Sequence, residues 1–277
     1  MGSKKRESVH TFWVSKSKIM VTQFTELTDS QWEDIKVVLN WQRKRKHDLR
    51  RVVNALLFVT RTGLQWRNLP KEFPKWTIVY YYFRRSTMDG TFEALNLYLV
   101  QFERFLNGKL PDPSLVCIDS QSVKSVPFVK QNRGLDPFKK VNGRKRHVVV
   151  DTLGLLLGVI VRAANSADTV EGCNLFENYH DRWTRLRKVL ADGAYQGRFM
   201  EWIERHTEAV VEIASRPETA RGFVPIRWRW VVERSFARFS FFRRLDKDRE
   251  KTVENSESFI LLANCSVILN RLENWPN

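Results

Sequence analysis

Cysteine is scarce in this sequence: Cys117, Cys173 and Cys265 lie far apart and in no C-x-x-C pairing. That spacing argues against a disulfide framework and a thiolate zinc site, and the expectation is three buried thiols in a reducing, cytoplasmic protein. Long apolar runs are missing too. None approaches the ~18 residues that a membrane-spanning helix needs, so no membrane segment is expected. The opening M-G-S-K-K-R-E-S has no apolar core of the secretory-signal kind. Internal repeats and low-complexity tracts are absent. Acids are outnumbered, with 31 Asp and Glu against 47 Lys and Arg, for a formal charge of +16.

A cationic excess of that size, spread over the whole chain, points to a polyanionic partner, and nucleic acid is the commonest. A basic membrane-surface protein is the competing class. With 277 residues and 43% hydrophobic content, the chain can bury a full core, expected as one large domain plus a smaller one. Ten tryptophans exceed the usual share. Several sit in basic segments, where an indole can stack on a base or sugar.

Residues 1–22 are basic and weakly patterned, and are expected to form a flexible segment. From Leu27 a capping residue and acidic first turn open a helix (L-T-D-S-Q-W). The basic run holding Lys44, Arg45, Arg50 and Arg51 leads into a second helix that stops at Gly63. A Pro-bounded turn follows, and then an aromatic-basic helix ending in Arg84 and Arg85. This order fits a helix-turn-helix DNA reader over residues 23–110. A helical hairpin that only packs on the main domain has the same pattern. After one more helix, Pro111–Asp112–Pro113 is the expected domain boundary.

Residues 111–277 alternate strands and helices. Leu115–Ser120 is a buried strand presenting Asp119 at its end. Lys130–Arg146, with Lys140, Arg144, Lys145 and Arg146, is expected to be a solvated loop. His147–Arg162 is a hairpin turning at Asp151. Asp168 and Glu171 have the spacing of a capping box. Arg187–Asp192 is a strand ending in Asp192, and Ala209–Ala214 another. In Trp228–Arg244, Trp228, Val232, Phe236 and Phe239 make one buried helical stripe. Glu233 is the only acid there, among Arg229, Arg234, Arg238, Arg243 and Arg244. On its own it reads equally well as a surface ion-pair partner of Arg229.

Asp119, Asp192 and Glu233 are separated by 72 and then 40 intervening residues. In a ribonuclease-H-like mixed sheet the first and fourth strands are neighbours and a late helix crosses them, which brings the three acids together. The fold expected is therefore α/β, a ribonuclease-H-like sheet flanked by helices and preceded by an all-α helix-turn-helix-like part. Clustered carboxylates repel one another unless cations join them. Hard divalent ions take such oxygen ligands. Two of them ~3.5–4 Å apart promote in-line phosphoryl displacement. Strand-end aspartates also occur in most α/β proteins as caps and turn residues.

The chain also resembles the insertion-sequence DDE transposases of the group related to insertion sequences four and five, from about Leu27 onward. The resemblance rests on D-L-R-R-V-V-N-A-L-L-F-V-T-R-T-G-L-Q-W-R-N-L-P, V-C-I-D-S-Q-S-V-K, G-R-K-R-H-V-V-V-D-T-L-G, L-A-D-G-A-Y-Q-G, R-W-V-V-E-R-S-F-A and F-R-R-L-D-K-D-R-E. It implies that Asp119, Asp192 and Glu233 are the three catalytic metal ligands for two Mg²⁺ ions, with Mn²⁺ as a substitute. It also implies double-stranded DNA partners, namely terminal inverted repeats and target, with nicking to free 3′-hydroxyls, strand transfer, and a homodimer that pairs two ends. Of the group's Tyr, Arg, Glu, Lys signature, Arg229 and Glu233 match, while Ile226 and Ser240 replace the Tyr and Lys. Two other classes are a catalytically silent DNA-binding relative and a nuclease that cuts without joining. The cations named above, Lys44, Arg45, Arg50, Arg51, Arg84, Arg85, Lys140, Arg144, Lys145, Arg146, Arg229, Arg234, Arg238, Arg243 and Arg244, are the expected DNA contacts. If Lys44, Arg45, Lys145 and Arg238 touch phosphates, neutralising each lowers the salt slope of DNA binding by about 0.9. A contact that reads a base instead costs about 1–3 kcal/mol at one position.

Overall fold

The computed structural model describes residues 24–39, 46–214 and 229–274. Lys44, Arg45 and Trp228 lie outside the described residues, as does the Arg229 side chain. Four helices come first: α1 (Asp29–Lys36), α2 (Leu49–Thr62), α3 (Trp76–Met88) and α4 (Thr91–Leu106). α1 starts in a reciprocal capping box: Thr28 Oγ1 accepts from the Gln31 amide, and the Gln31 side chain accepts from the Thr28 amide. α2 is capped by Asp48 and ends at Gly63, whose φ of 69° suits the left-handed stop of a helix. Main-chain N–H groups of Arg243 and Arg244 donate to the carbonyls of Arg61 and Thr60 there. A Cβ on Gly63 would come within 2.8 Å of the Arg243 main chain.

The sheet begins with β1 (Leu115–Lys124), followed by β2 (Gly134–Asp136), β3 (Val141–Asp151) and β4 (Leu156–Ala163). After α5 (Asp168–Tyr179) come β5 (Lys188–Ala191), α6 (Arg198–His206) and β6 (Val210–Ile213). The chain then reaches α7 (Arg229–Phe239) and α8 (Val253–Glu273). β1 is central. It runs antiparallel to β3 and parallel to β5, β4 pairs with β3 on one side, and β6 follows β5 on the other. Three antiparallel strands continued by two parallel ones, with helices on both faces, make the expected ribonuclease-H-like arrangement. β2 is a short addition along the start of β3.

Strand alternation divides the sheet's contacts. Ser120 and Lys145 face α5, where both bond Asp168. Asp119 shares a cleft with Val232 of α7, and Arg144 reaches Thr252 and Ser256 at the start of α8. α8 is buried on most sides, as expected of a helix apolar nearly all round. Its contacts include α1 to α4 and β4. One apolar cluster runs from Leu27 through Phe83 and Leu99 to Leu269, so the core continues across the Pro111–Pro113 turn. The helical hairpin therefore packs on the main body, and its outer face carries Tyr81 and Arg85.

Two local expectations are corrected. The segment expected as a solvated loop is strand from Val141 onward, because the long β1 extends the ladder to Lys124 opposite Gly143. Asp168 is not the cap of α5: Ala167 holds that position with no side-chain bond. The Asp168 carboxylate turns to the sheet, where a lysine and a hydroxyl give it charge-assisted bonds.

Asp151 closes the β3–β4 turn at 0% exposure. Its Oδ1 accepts from the amides of Leu153 and Leu155, both at 2.9 Å, and its Oδ2 meets Arg104 of α4. Removing one partner strands a buried charge. Asp151→Ala is expected to lose about 3–5 kcal/mol in urea unfolding; a midpoint equal to wild type would contradict this account of the turn.

Candidate active site and its basic surroundings

The parallel register matches Val116 with Val189 and Cys117 with Leu190. Carried two residues further, it sets Asp119 beside Asp192, on strands ~4.8 Å apart and on the same face. Both aspartates line one small cleft, together with Cys117, Ala214 and Val232. Asp119 Oδ1 accepts from the Ser120 amide at 2.7 Å. Asp192 caps the 3₁₀ turn at Gly193–Tyr195, its Oδ1 accepting from the Ala194 amide at 3.0 Å. Each carboxylate is thus oriented by its own main chain. Burial, with help from Asp151, pushes the Cys117 thiol up to about 12. It stays protonated, so the donors the cleft presents are carboxylate oxygens, which suits a hard divalent cation.

Glu233 is on α7, one residue along from the cleft. α7 buries Val231, Val232, Ser235, Phe236 and Phe239, so the phase of the helix puts Val232 at the cleft and Glu233 beside it on the exposed side. Among the described residues no group of three or more His, Cys, Asp and Glu is gathered for a metal. Asp119 and Asp192 are the pair that the sheet register sets side by side, and Glu233 follows Val232 on the helix that crosses them. α7 itself is fastened to the β3–β4 turn. Ser235 Oγ donates to the Gly154 carbonyl at 3.0 Å, and Arg234 Nη2 to the Leu153 carbonyl at 3.0 Å. Gly154 has φ +74°, and a Cβ there would meet Ser235 Oγ at 3.1 Å.

Beneath the cleft, on the sheet's other face, lies a polar group that sequence reasoning missed. Asp168 accepts from Ser120 Oγ at 2.8 Å and Lys145 Nζ at 3.3 Å, and lies 3.6 Å from His147 Nδ1. His147 is wholly enclosed, and neither ring nitrogen has a hydrogen-bond partner. Burial lowers its pKa to about 3 against the pull of Asp168, so the ring is neutral. Tyr195 is also enclosed. Burial first, then Asp168, Asp119 and Asp192, hold its phenol far above the usual range. Its only signal in the sequence was its position three residues after Asp192.

The basic residues divide. Arg144 is fully buried: it pairs with Asp248 and donates to the carbonyls of Gln131, Glu250 and Lys251. Arg244 is buried against Glu250 and the Leu64 carbonyl. Expected as DNA contacts, both are internal braces, because the strand and the α2 contact draw them inward. Lys145 is turned to Asp168, and Arg50 to Asp29 and the Leu27 carbonyl. Arg234 is half-buried, its guanidinium 4.5 Å over the Trp230 ring. Burial, reinforced by Arg271 and Arg234, lowers Arg238 to about 9. Arg51, Arg85, Lys140 and Arg243 are exposed, Arg84 partly so. Arg146 is buried, yet it lines a pocket. No helix among the described residues is long and apolar enough to cross a membrane.

The sheet order, with Asp119 in the middle of β1 (the strand runs on to Lys124 rather than ending there) beside Asp192 just past the end of β5, defines a ribonuclease-H-like core of the DDE class. Residues 110–269 match the family described as Transposase DDE domain, and residues 27–96 match Putative transposase of IS4/5 family. The chain belongs to the DDE transposases of the IS4/5 group. It is 29% identical over 142 residues to the putative transposase for insertion sequence element IS402 of Burkholderia cepacia. That match covers 47% of this chain and 64% of the relative, under two thirds of its length. A piggyBac transposase, solved as a synaptic complex with hairpin DNA, aligns with a TM-score of 0.42 at 9% identity. That alignment covers 90% of this chain and 73% of the other.

The depressed pKa of His147 has a pH signature. Below 6.5 the unfolded chain takes up a proton that the fold refuses, so this contribution is intact above 6.5 and falls away towards about 3. By pH 5 about 2 kcal/mol of it is lost. Urea unfolding of His147→Gln at pH 7.5 and pH 5 should show that much less loss than wild type. Equal losses would show that the ring titrates alike in both states.

Proposed function

We propose that this protein is a DNA transposase that binds the terminal inverted repeats of its element, nicks the ends by metal-dependent hydrolysis to free 3′-hydroxyls, and joins them to target DNA. The observation that carries the reading is Asp119 beside Asp192 at one cleft, with α7 crossing it and Glu233 next to the cleft-lining Val232. Asp119, Asp192 and Glu233 are the groups that would hold Mg²⁺, two ions with Mn²⁺ as a substitute. When bound, such ions activate a water or 3′-hydroxyl and stabilise the leaving oxygen.

The chain's own residues set the stage for that chemistry. Ser120 and Ala194 amides orient the two aspartates. Ser235 and Arg234 hold α7 on the β3–β4 turn, which keeps Glu233 at the edge of the cleft. Val232, Leu190 and Ile118 give the cleft apolar walls, which lower the local dielectric around developing charge. Exposed cations at Arg85, Lys140 and Arg243 supply phosphate contacts, and a homodimer would present two such surfaces for paired ends.

One observation favours a second reading, a catalytically silent relative that occupies element ends: Ile226 and Ser240 stand where the group's signature has its Tyr and Lys. A labelled duplex carrying the element's terminal repeat separates the two, incubated with Mg²⁺ or EDTA. Wild type is expected to nick at the repeat boundary only with metal. Glu233→Gln should bind equally but cut slower by two orders of magnitude or more, roughly 3 kcal/mol of transition-state stabilisation. Binding without cutting under any metal would establish the silent relative instead.

A further inference from the structure

Three consecutive cations on β3 have three different fates. Arg144 is saturated by Asp248 and main-chain carbonyls, and Lys145 faces Asp168. Arg146 is only 2% exposed, and among the described residues its side chain makes no hydrogen bond and no ion pair; its Nε is enclosed without a partner. A guanidinium does not shed its proton to escape this. Burial works against its charge, and Asp248 and Asp246 offset that only from a distance. A buried cation left in this state calls for an anion.

Arg146 opens on a pocket of about 280 Å³ between β1, β3, α7 and residues 245–247. The pocket continues the catalytic cleft. Along β1 the step is from Asp119 to Gln121, the cross-strand neighbour of Arg146. Along α7 it is from Val232 to Phe236 and Ser240. Two strand residues carry the wall ~7 Å, roughly two base-pair rises of DNA. Phe236, Val123 and Leu245 form apolar walls, and Lys124 and Lys247 stand at the rim. Asp246 also lines it, but that carboxylate is already paired with Arg249.

Resting on the transposase reading, we infer that this pocket seats a phosphodiester of the DNA strand leaving the cleft, with Arg146 bonding a non-bridging oxygen and the apolar walls taking the attached sugar. An arginine prepaid with burial binds such an oxygen through charge-assisted bonds that a surface lysine cannot match. The strand beyond the scissile position is thereby held in register with the two aspartates.

The test uses the full chain without metal, as wild type, Arg146→Met and Ser240→Glu. The last sets a carboxylate at the exposed rim should the first fail to fold. Inorganic phosphate, against chloride at equal ionic strength, is expected to raise the thermal midpoint of wild type and of neither variant. Duplex carrying the terminal repeat should bind Arg146→Met about tenfold or more weaker, with the salt slope reduced by about 0.9. Arg146→Met should also unfold at the same urea concentration as wild type or higher, because it removes an unpaired charge. A phosphate effect with unchanged duplex affinity and slope would make this a free-phosphate site and overturn the DNA assignment. Neither effect in wild type or variants overturns the anion pocket altogether. Wild type that responds to phosphate but binds no duplex would overturn the transposase reading while leaving the anion pocket standing.

Discussion

The Asp151 carboxylate is enclosed completely, and a charge in that position has to be answered where it stands. Arg104 reaches it from α4, and the amides of Leu153 and Leu155 close on it from the turn. Those bonds leave the carbonyls of Leu153 and Gly154 facing α7, which takes them with Arg234 and Ser235. A helix of the first half, the central hairpin and the helix bearing Glu233 thus meet at one buried ion pair. β3 carries the same constraint onward, since its ladder with β1 sets where Asp119 stands. The position of the candidate site therefore depends on a pair that never touches substrate.

Charge in this protein is divided between two tasks. A formal +16 reads as a surface made for a polyanion, and exposed Arg85, Lys140 and Arg243 fit that. Several of the remaining cations work inside. Arg104, Arg144 and Arg244 are buried and fork onto carboxylates and main-chain carbonyls. Arginine suits this because five donors in a rigid plane can satisfy several carbonyls at once. The same chemistry that recognises phosphate is used here to tie α2, β3 and the start of α8 together, and counting cations along a sequence cannot separate the two uses.

Much of the architecture was legible because periodicity reports burial. The β1 run, the β3–β4 hairpin with its Asp-Thr-Leu-Gly turn, the short β5 and β6 strands and the amphipathic stripe of α7 all appear near their expected positions. Asp119 and Asp192 were legible as acids closing short apolar runs, although β1 continues past Asp119 to Lys124 and only Asp192 stands at a strand end. Less was legible where a residue had two partners to choose from. Asp168 had capping spacing but bonds the sheet, since Ser120 and Lys145 come to it only once β1 and β3 pair. Val141–Arg146 looked like a loop because basic, Gly-containing runs are usually solvated; the length of β1, which carries the ladder to Lys124 opposite Gly143, made it strand.

By itself the sequence determined the fold class, the order of its elements and the residue types at the ends of its central strands, because hydrophobic period and turn chemistry act over a few residues. Tertiary structure decided which acids share a cleft, which arginines are braces, and that Arg146 is buried without a partner at the mouth of a pocket. Those outcomes depend on register between β1 and β5 and on the phase of α7 against the sheet. Both are set by contacts between residues tens of positions apart, which no local pattern encodes.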